Sequence, residues 1–192
     1  MTILQTTQSQ ALPSEDLSLR QAKFLADSTL IPEKFRGRIG DVLVAIGIAK
    51  RLKISPFEVL NALVMIQGRA TFSAQFIIAL AHTRGPFKSR IQYKTEGQGE
   101  AISVSAFATM PDDSTAQATV TMETAKKEGW TRNPKYQSMP EHMLRYRAAI
   151  FLVRQYCPEI LLGMQTKEEI EDVQIATSET KIESLNAKIA NQ

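Results

Sequence analysis

The chain has 192 residues, 43% hydrophobic and 22% charged, with a net charge of +3. That length and balance suit a globular core with tails, and the apolar runs fall far short of the roughly 20 residues a membrane span needs. The single cysteine, Cys157, leaves no internal disulfide framework and no multi-cysteine zinc site, and suits a reducing cytoplasm.

Charge is unevenly spread. Residues 17–165 hold 20 Lys/Arg against 12 Asp/Glu, whereas 166–192 hold 3 against 6 and 1–16 add Glu15 and Asp16 alone. A basic body with acidic ends points toward an anionic partner such as nucleic acid.

Residues 1–14, MTILQTTQSQALPS, are rich in Gln, Ser and Thr and read as a disordered tail. They carry neither the basic n-region nor the apolar core of a signal peptide. Asp16 or Ser18 is expected to cap a first helix through Arg20, Ala22, Phe24 and Leu25, which ends near Ile31-Pro32. A second helix runs from Gly40 to Leu52, with Val42, Ala45, Ile46 and Ala49 on one face. Lys50, Arg51 and Lys53 gather at its C-terminal end, where cations suit the helix dipole. Ser55-Pro56 followed by Glu58 supplies a cap, an N1 proline and an early acid for a third helix. Val64 to Ile66 and Gly68-Arg69 read as a short strand and turn. Ser73 caps a fourth helix, Ala74 to His82, broken by Gly85-Pro86.

The period then changes to two. Ser89–Thr95, Glu100–Met110 and Thr115–Met122 alternate apolar and polar residues and are separated by Gly97-Gln98-Gly99 and Pro111-Asp112-Asp113-Ser114. Three such strands make an antiparallel meander whose apolar face helices must cover, an α+β arrangement. Thr121 or Glu123 opens a short helix ending at Gly129, with Lys126 and Lys127 in its last turn. Trp130, Arg132, Lys135 and Tyr136 follow in a polar loop. Cations that neutralise phosphates, interleaved with rings on which bases stack, suit single-stranded nucleic acid.

Pro140 fits the first turn of a long helix and Pro158 marks its end. At about 100° per residue, Arg147 and Arg154 share a stripe with Met143, Ile150 and Cys157 on a helix that is apolar nearly all round. The two arginines lie about two turns, or roughly 10 Å, apart. Two readings are open: they pair with internal carboxylates, or they reach a polyanion. Thr166-Lys-Glu-Glu is a capping signature for an acidic helix, Glu168 to Val173, whose carboxylates read as solvated. Residues 174–192 read as a flexible acidic tail, which leaves 15–173 as one domain.

No phosphate-cradling glycine loop and no nucleophile motif is present. His82 and His142 lie far apart in sequence, and no acid/base constellation emerges, so catalysis and metal binding are not expected.

The stretch GRATFSAQFIIALAHTRGPF, the meander, EGW, and then NPKYQSMPEHMLRYRAAIFLVRQYCPEILLGMQTKEEIED resemble the RecT/Redβ family of phage single-strand annealing proteins, over roughly Asp41 to Val173. The resemblance implies a fold like that of the eukaryotic strand-annealing proteins. It implies DNA recombination by annealing of complementary strands in a bacterial cytoplasm, without ATP or another cofactor. It further implies ring or filament homo-oligomers that hold single-stranded DNA and the annealed duplex. A partner exonuclease or host single-strand-binding protein would dock on the acidic tail. By the same resemblance, Arg147 and Arg154 match cations that meet the DNA backbone, and Tyr136 stacks on bases. Lys126, Lys127, Arg132 and Lys135 line the groove mouth. Arg145, Arg69 and Trp130 are further candidate DNA contacts, the alternative for Trp130 being that it packs into the core. Glu141 departs from the family's habit of a basic residue nearby. The alternatives are a single-strand coating module that does not anneal and a phage interaction protein.

Overall fold

The computed structural model describes residues 13–175, so the tail expected over 174–192 and most of that over 1–14 lie outside the described residues. The chain forms two compact units, Met1–Leu63 and Val64–Gln192. The boundary falls inside the stretch 15–173.

The first unit is helical: α1 (Pro13–Ala26), a 3₁₀ turn (Glu33–Phe35), α2 (Ile39–Leu52) and α3 (Pro56–Ala62). Helix α1 begins earlier than expected, so Asp16 and Ser18 lie within it instead of capping it, and Asp16 pairs with Arg20 one turn on. Small residues let α1 and α2 approach closely: Ala22, Ala26, Val42, Ala45 and Ala49 are all buried. Lys53 ends α2 in the left-handed conformation (φ 55°), its N–H shared between the carbonyls of Ala49 and Lys50. Helix α3 starts on a full capping box. The Ser55 hydroxyl accepts from backbone N–H, Glu58 returns a 2.9 Å bond to the Ser55 N–H, and Pro56 holds N1.

The second unit opens with a hairpin, β1 (Val64–Ile66) and β2 (Arg69–Thr71). Gln67 and Gly68 both take positive φ at its two-residue turn, the pattern whose twist matches antiparallel strands. Helix α4 (Ala74–Arg84) follows, with the Ser73 hydroxyl capping the Phe76 N–H at 3.2 Å.

The meander is β3 (Gln92–Glu96), β4 (Ser103–Thr109) and β5 (Thr115–Thr121), ordered β3-β4-β5. Its register aligns Tyr93 with Ala106 and Ala118, and Thr95 with Val104 and Val120. The inner row of Val104, Ala106, Ala108, Ala116, Ala118 and Val120 is buried, whereas Gln92, Lys94, Gln117 and Thr119 face out. Gly97 turns β3 toward β4 at φ +73°, and a Cβ there would lie 2.2 Å from the Ala101 carbonyl oxygen.

Then come α5 (Met122–Lys127), a 3₁₀ turn (Trp130–Arg132), α6 (Lys135–Ser138), α7 (Pro140–Tyr156), a 3₁₀ turn (Pro158–Ile160) and α8, helical over residues 167–175. Helix α7 lies across the inner face of β4 and β5, burying Met143, Leu144, Ala148, Ala149, Ile150, Leu152 and Val153. The alanines of the sheet leave room for its larger side chains. The architecture is α+β, with a three-stranded antiparallel meander braced by helices. No helix among the described residues is long and apolar enough to cross a membrane.

Candidate nucleic-acid interface

Helix α7 starts at Pro140 because proline at N1 forfeits only an N–H that has no helical partner. Its apolar stripe faces the sheet. Arg147 lies on the flank of that stripe and is only 6% exposed. An isolated guanidinium there would be costly, and the surroundings answer it. Its Nη2 donates to Asp172 on α8, its Nε donates to the Tyr136 hydroxyl at 3.2 Å, and Nη1 lies 3.5 Å from Glu169. The Trp130 ring centre is 4.1 Å from its guanidinium carbon, a cation–π contact. Trp130 also meets Phe151 edge-on at 6.1 Å.

Asp172 is the hub of this network. Besides Arg147 it accepts from Asn133 Nδ2 at 2.8 Å and from the Tyr136 hydroxyl at 3.2 Å, and it is 2% exposed. Burial pushes the Tyr136 phenol well above its ordinary pKa, so it remains a neutral donor. Burial works against the charge of Arg147, but the Tyr136 oxygen and the Asp172 carboxylate outweigh it and raise its pKa further.

One turn earlier on α8, Glu169 grips Arg154 with two 3.0 Å bonds, Oε1 to Nη1 and Oε2 to Nη2. The same carboxylate accepts the Thr166 N–H at 2.7 Å, closing the capping box that starts α8. Glu168 reaches the other way and accepts the Ala74 N–H at the start of α4, at 2.7 Å.

These contacts decide several sequence-based expectations. The carboxylates of Glu169 and Asp172 are 5% and 2% exposed, so the reading of α8 as a solvated acidic helix is corrected. Two arginines two turns apart on α7 meet two carboxylates one turn apart on α8, and charge pairing offsets the burial. Of the two readings of the arginine stripe, internal pairing is the one seen. Tyr136, 2% exposed, faces Asp172 and offers no open ring for a base. The polar loop expected over Trp130–Tyr136 is ordered as a 3₁₀ turn and the start of α6. Arg154 keeps 43% of its side chain exposed.

The other predicted cations lie on the surface, most of them close in sequence on α5, α6 and the start of α7. Lys126 pairs with Glu100, Lys127 with Glu123 at 2.7 Å, Lys135 with Glu171 at 3.6 Å and Arg145 with Glu141 at 2.5 Å. Arg145 also stands over the Tyr93 ring at 5.5 Å, and Glu141 accepts the Thr95 hydroxyl at 2.9 Å, tying α7 to β3. Glu141 thus holds the position with an internal task. Arg132 is exposed beside this group, while Arg69 is exposed on the β1–β2 hairpin, away from it in sequence.

Two shallow clefts flank Pro140. One, of about 390 Å³, is lined by Glu100, Lys126, Thr131 and Gln137, and the other, of about 460 Å³, by Met139, Glu141, His142 and Arg145. Sequence reasoning did not single out Asn133, Glu169 or Asp172. The one signal for them was the spacing: two arginines seven residues apart on a mostly apolar helix call for acids on a facing helix.

Cys157 is fully buried, and burial pushes its thiol up to about 12. It is an inert core group.

A model of the RecT family matches residues 28–181 of the chain. No curated protein and no solved structure matches it.

Proposed function

Because the chain belongs to the RecT family, whose members anneal single strands in DNA recombination, we propose that it binds single-stranded DNA and pairs complementary strands without ATP. The observation that carries this reading is the set of exposed cations Lys126, Lys127, Arg132, Lys135 and Arg145 on α5 to α7, of which Lys126 and Arg145 line the clefts at Pro140. Lys126, Lys127, Lys135 and Arg145 hold exposed or half-exposed ion pairs, which water and salt screen and which add little to stability. A phosphodiester chain can exchange with such carboxylates at little cost and gains by releasing its own counterions. Arg69 and the exposed part of Arg154 extend the phosphate contacts.

Arg147, Tyr136 and Trp130 serve the same interface from within. The Arg147–Asp172 pair is deeply buried, and opening it would strand a charge. In this reading the three residues hold the 130–138 segment in place, and the surface cations touch DNA.

The chemistry fits annealing. Phosphate contacts are blind to sequence, so pairing itself carries the information. Summing weak contacts over many subunits gives firm binding, which favours a ring or filament. The resemblance further supports a phage-encoded protein acting in the host cytoplasm beside a partner nuclease or single-strand-binding protein.

The test is duplex formation between complementary oligonucleotides, with and without protein, without ATP, over a salt series. Acceleration that fades as salt rises is expected. Salt-sensitive binding without acceleration would leave a coating module instead, and an absence of binding at low salt would remove the DNA reading.

A further inference from the structure

Between Glu58 and Glu96 the sequence has no acidic residue but five cations: Arg69, Arg84, Lys88, Arg90 and Lys94. Three of these, Arg84, Lys88 and Arg90, fall at the end of α4 and in the loop that leads to β3. All three are exposed.

The loop is pinned from both sides. The Lys88 N–H donates to the Thr109 carbonyl at 2.8 Å, and the Ser89 hydroxyl accepts the Thr109 N–H at 2.9 Å. The Ile91 N–H donates to His82 Nε2 at 3.1 Å, and Ile91 itself is buried. Gly85 closes the helix end so tightly that a Cβ there would lie 2.4 Å from the Ala81 carbonyl oxygen and 3.2 Å from the Phe87 ring. The cations therefore stand on the end of α4 and on a braced loop, so little backbone entropy remains to be lost when they bind, and the cost left is that of ordering their side chains.

Their charge is poorly compensated. Lys88 meets exposed Asp113, but no carboxylate of the described residues pairs with Arg84 or Arg90. On α5 to α7, by contrast, Lys126, Lys127, Lys135, Arg145, Arg147 and Arg154 each have a carboxylate partner. The carbonyl end of α4 accounts for Arg84, in its last turn. It does not account for Lys88 and Arg90, which lie beyond it. His82 feels the excess: burial first, and then the charge of Arg90, hold its pKa below the ordinary histidine value.

The loop also has a defined place relative to the cations on α5. Thr109, which it grips, ends β4, whereas α5 begins beside the other end, where the Met122 N–H donates to the Ile102 carbonyl at 2.9 Å. The seven residues of β4 separate the two sites by about 20 Å at roughly 3.4 Å per residue.

We propose that Arg84, Lys88 and Arg90 form a second phosphodiester-binding site, at the opposite end of the meander from Lys126 and Lys127, which holds the backbone of a DNA strand. The proposal rests on the DNA-binding reading above and extends it to a surface that the arginine-helix resemblance does not include.

The test compares full-length wild type with the Arg84→Gln, Lys88→Gln, Arg90→Gln triple variant, by titrating an oligothymidylate strand over a salt series. Losing three phosphate contacts should flatten the slope of log K against log salt by about 2, at roughly 0.7 per contact on single strands. Between 50 and 200 mM salt the wild type should then lose about 16-fold more affinity than the variant. Thermal melting should be unchanged, since none of the three side chains is buried. If melting shifts, the same titration on Arg90→Gln alone, with an expected slope change of about 0.7, decides the matter. Wild-type binding with the same slope in the variants would overturn the second site alone. Failure of wild type to bind at low salt would overturn the DNA-binding reading beneath it.

Discussion

Replacing Asp172 by Ala removes the hub of the buried network and leaves Arg147 inside the protein. Asp172 is 2% exposed and takes three donors, from Asn133, Tyr136 and Arg147. After its loss the guanidinium keeps Glu169 at 3.5 Å, but Glu169 is already held by Arg154 and by the Thr166 N–H. Breaking a buried pair from one side costs about 3–5 kcal/mol. For a chain of this length each kcal/mol moves the melting temperature by roughly 2–4 °C, so a fall of roughly 6–20 °C is expected by circular dichroism. Against a total stability of about 5–15 kcal/mol, that is a large share. The double variant Arg147→Met, Asp172→Leu removes both charges while keeping apolar bulk, and it should recover the part of the loss due to the stranded charge, but not the part due to Asn133 and the Tyr136 hydroxyl losing their acceptor. Its salt slope for single-stranded DNA should match wild type, because Arg147 acts from inside. A fall in melting temperature of less than about 2 °C for Asp172→Ala, below the shift from one kcal/mol, would refute the stranded-charge argument. A flatter salt slope in the folded double variant would show that Arg147 meets phosphate itself.

The surface cations should behave oppositely. Lys127→Ala and Lys135→Ala each break an exposed or half-exposed ion pair that solvent screens, so the melting temperature should barely move. The salt slope of DNA binding, read by anisotropy, should flatten by about 0.7 for each. His82 accepts the Ile91 N–H through Nε2 and has a lowered folded pKa, whereas in the unfolded chain it titrates near its ordinary value. Its contribution to stability is therefore complete above that ordinary value and is lost as pH falls through the folded one. The decline in melting temperature from neutral to mildly acidic pH should be shallower in His82→Gln, and an identical decline would contradict the assignment. Cys157, buried with its thiol pushed up to about 12, should resist thiol reagents in the native protein at mildly alkaline pH and react once denaturant opens the core. Rapid native labelling would count against that placement.

The signals that proved legible in the sequence act over a few residues. Ser55, Pro56 and Glu58 announce α3, Ser73 announces α4, and Thr121 announces α5, since each cap bonds N–H groups two or three residues on. Strict alternation in Ser103–Thr109 and Thr115–Thr121 identifies the strands and the buried row, because side chains on a pleated strand switch faces at every step. Pro140 and Pro158 bracket α7 because proline lacks the N–H that a helix interior needs. The family pattern from Asp41 to Val173 is likewise carried by local residue order.

What only the tertiary structure decided is which distant charges meet. Asp172 lies 25 residues from Arg147 and 39 from Asn133, and Glu169 lies 15 from Arg154. An acid on α8 reads alike from its neighbours whether it faces solvent or a guanidinium. The helix pattern of α7 shows that Arg147 and Arg154 share a side, but not what stands opposite. Whether a cation faces a carboxylate of its own chain or, like Arg84 and Arg90 among the described residues, pairs with none depends on how the chain returns on itself. Coulomb attraction and desolvation act through space, and sequence separation does not measure that distance.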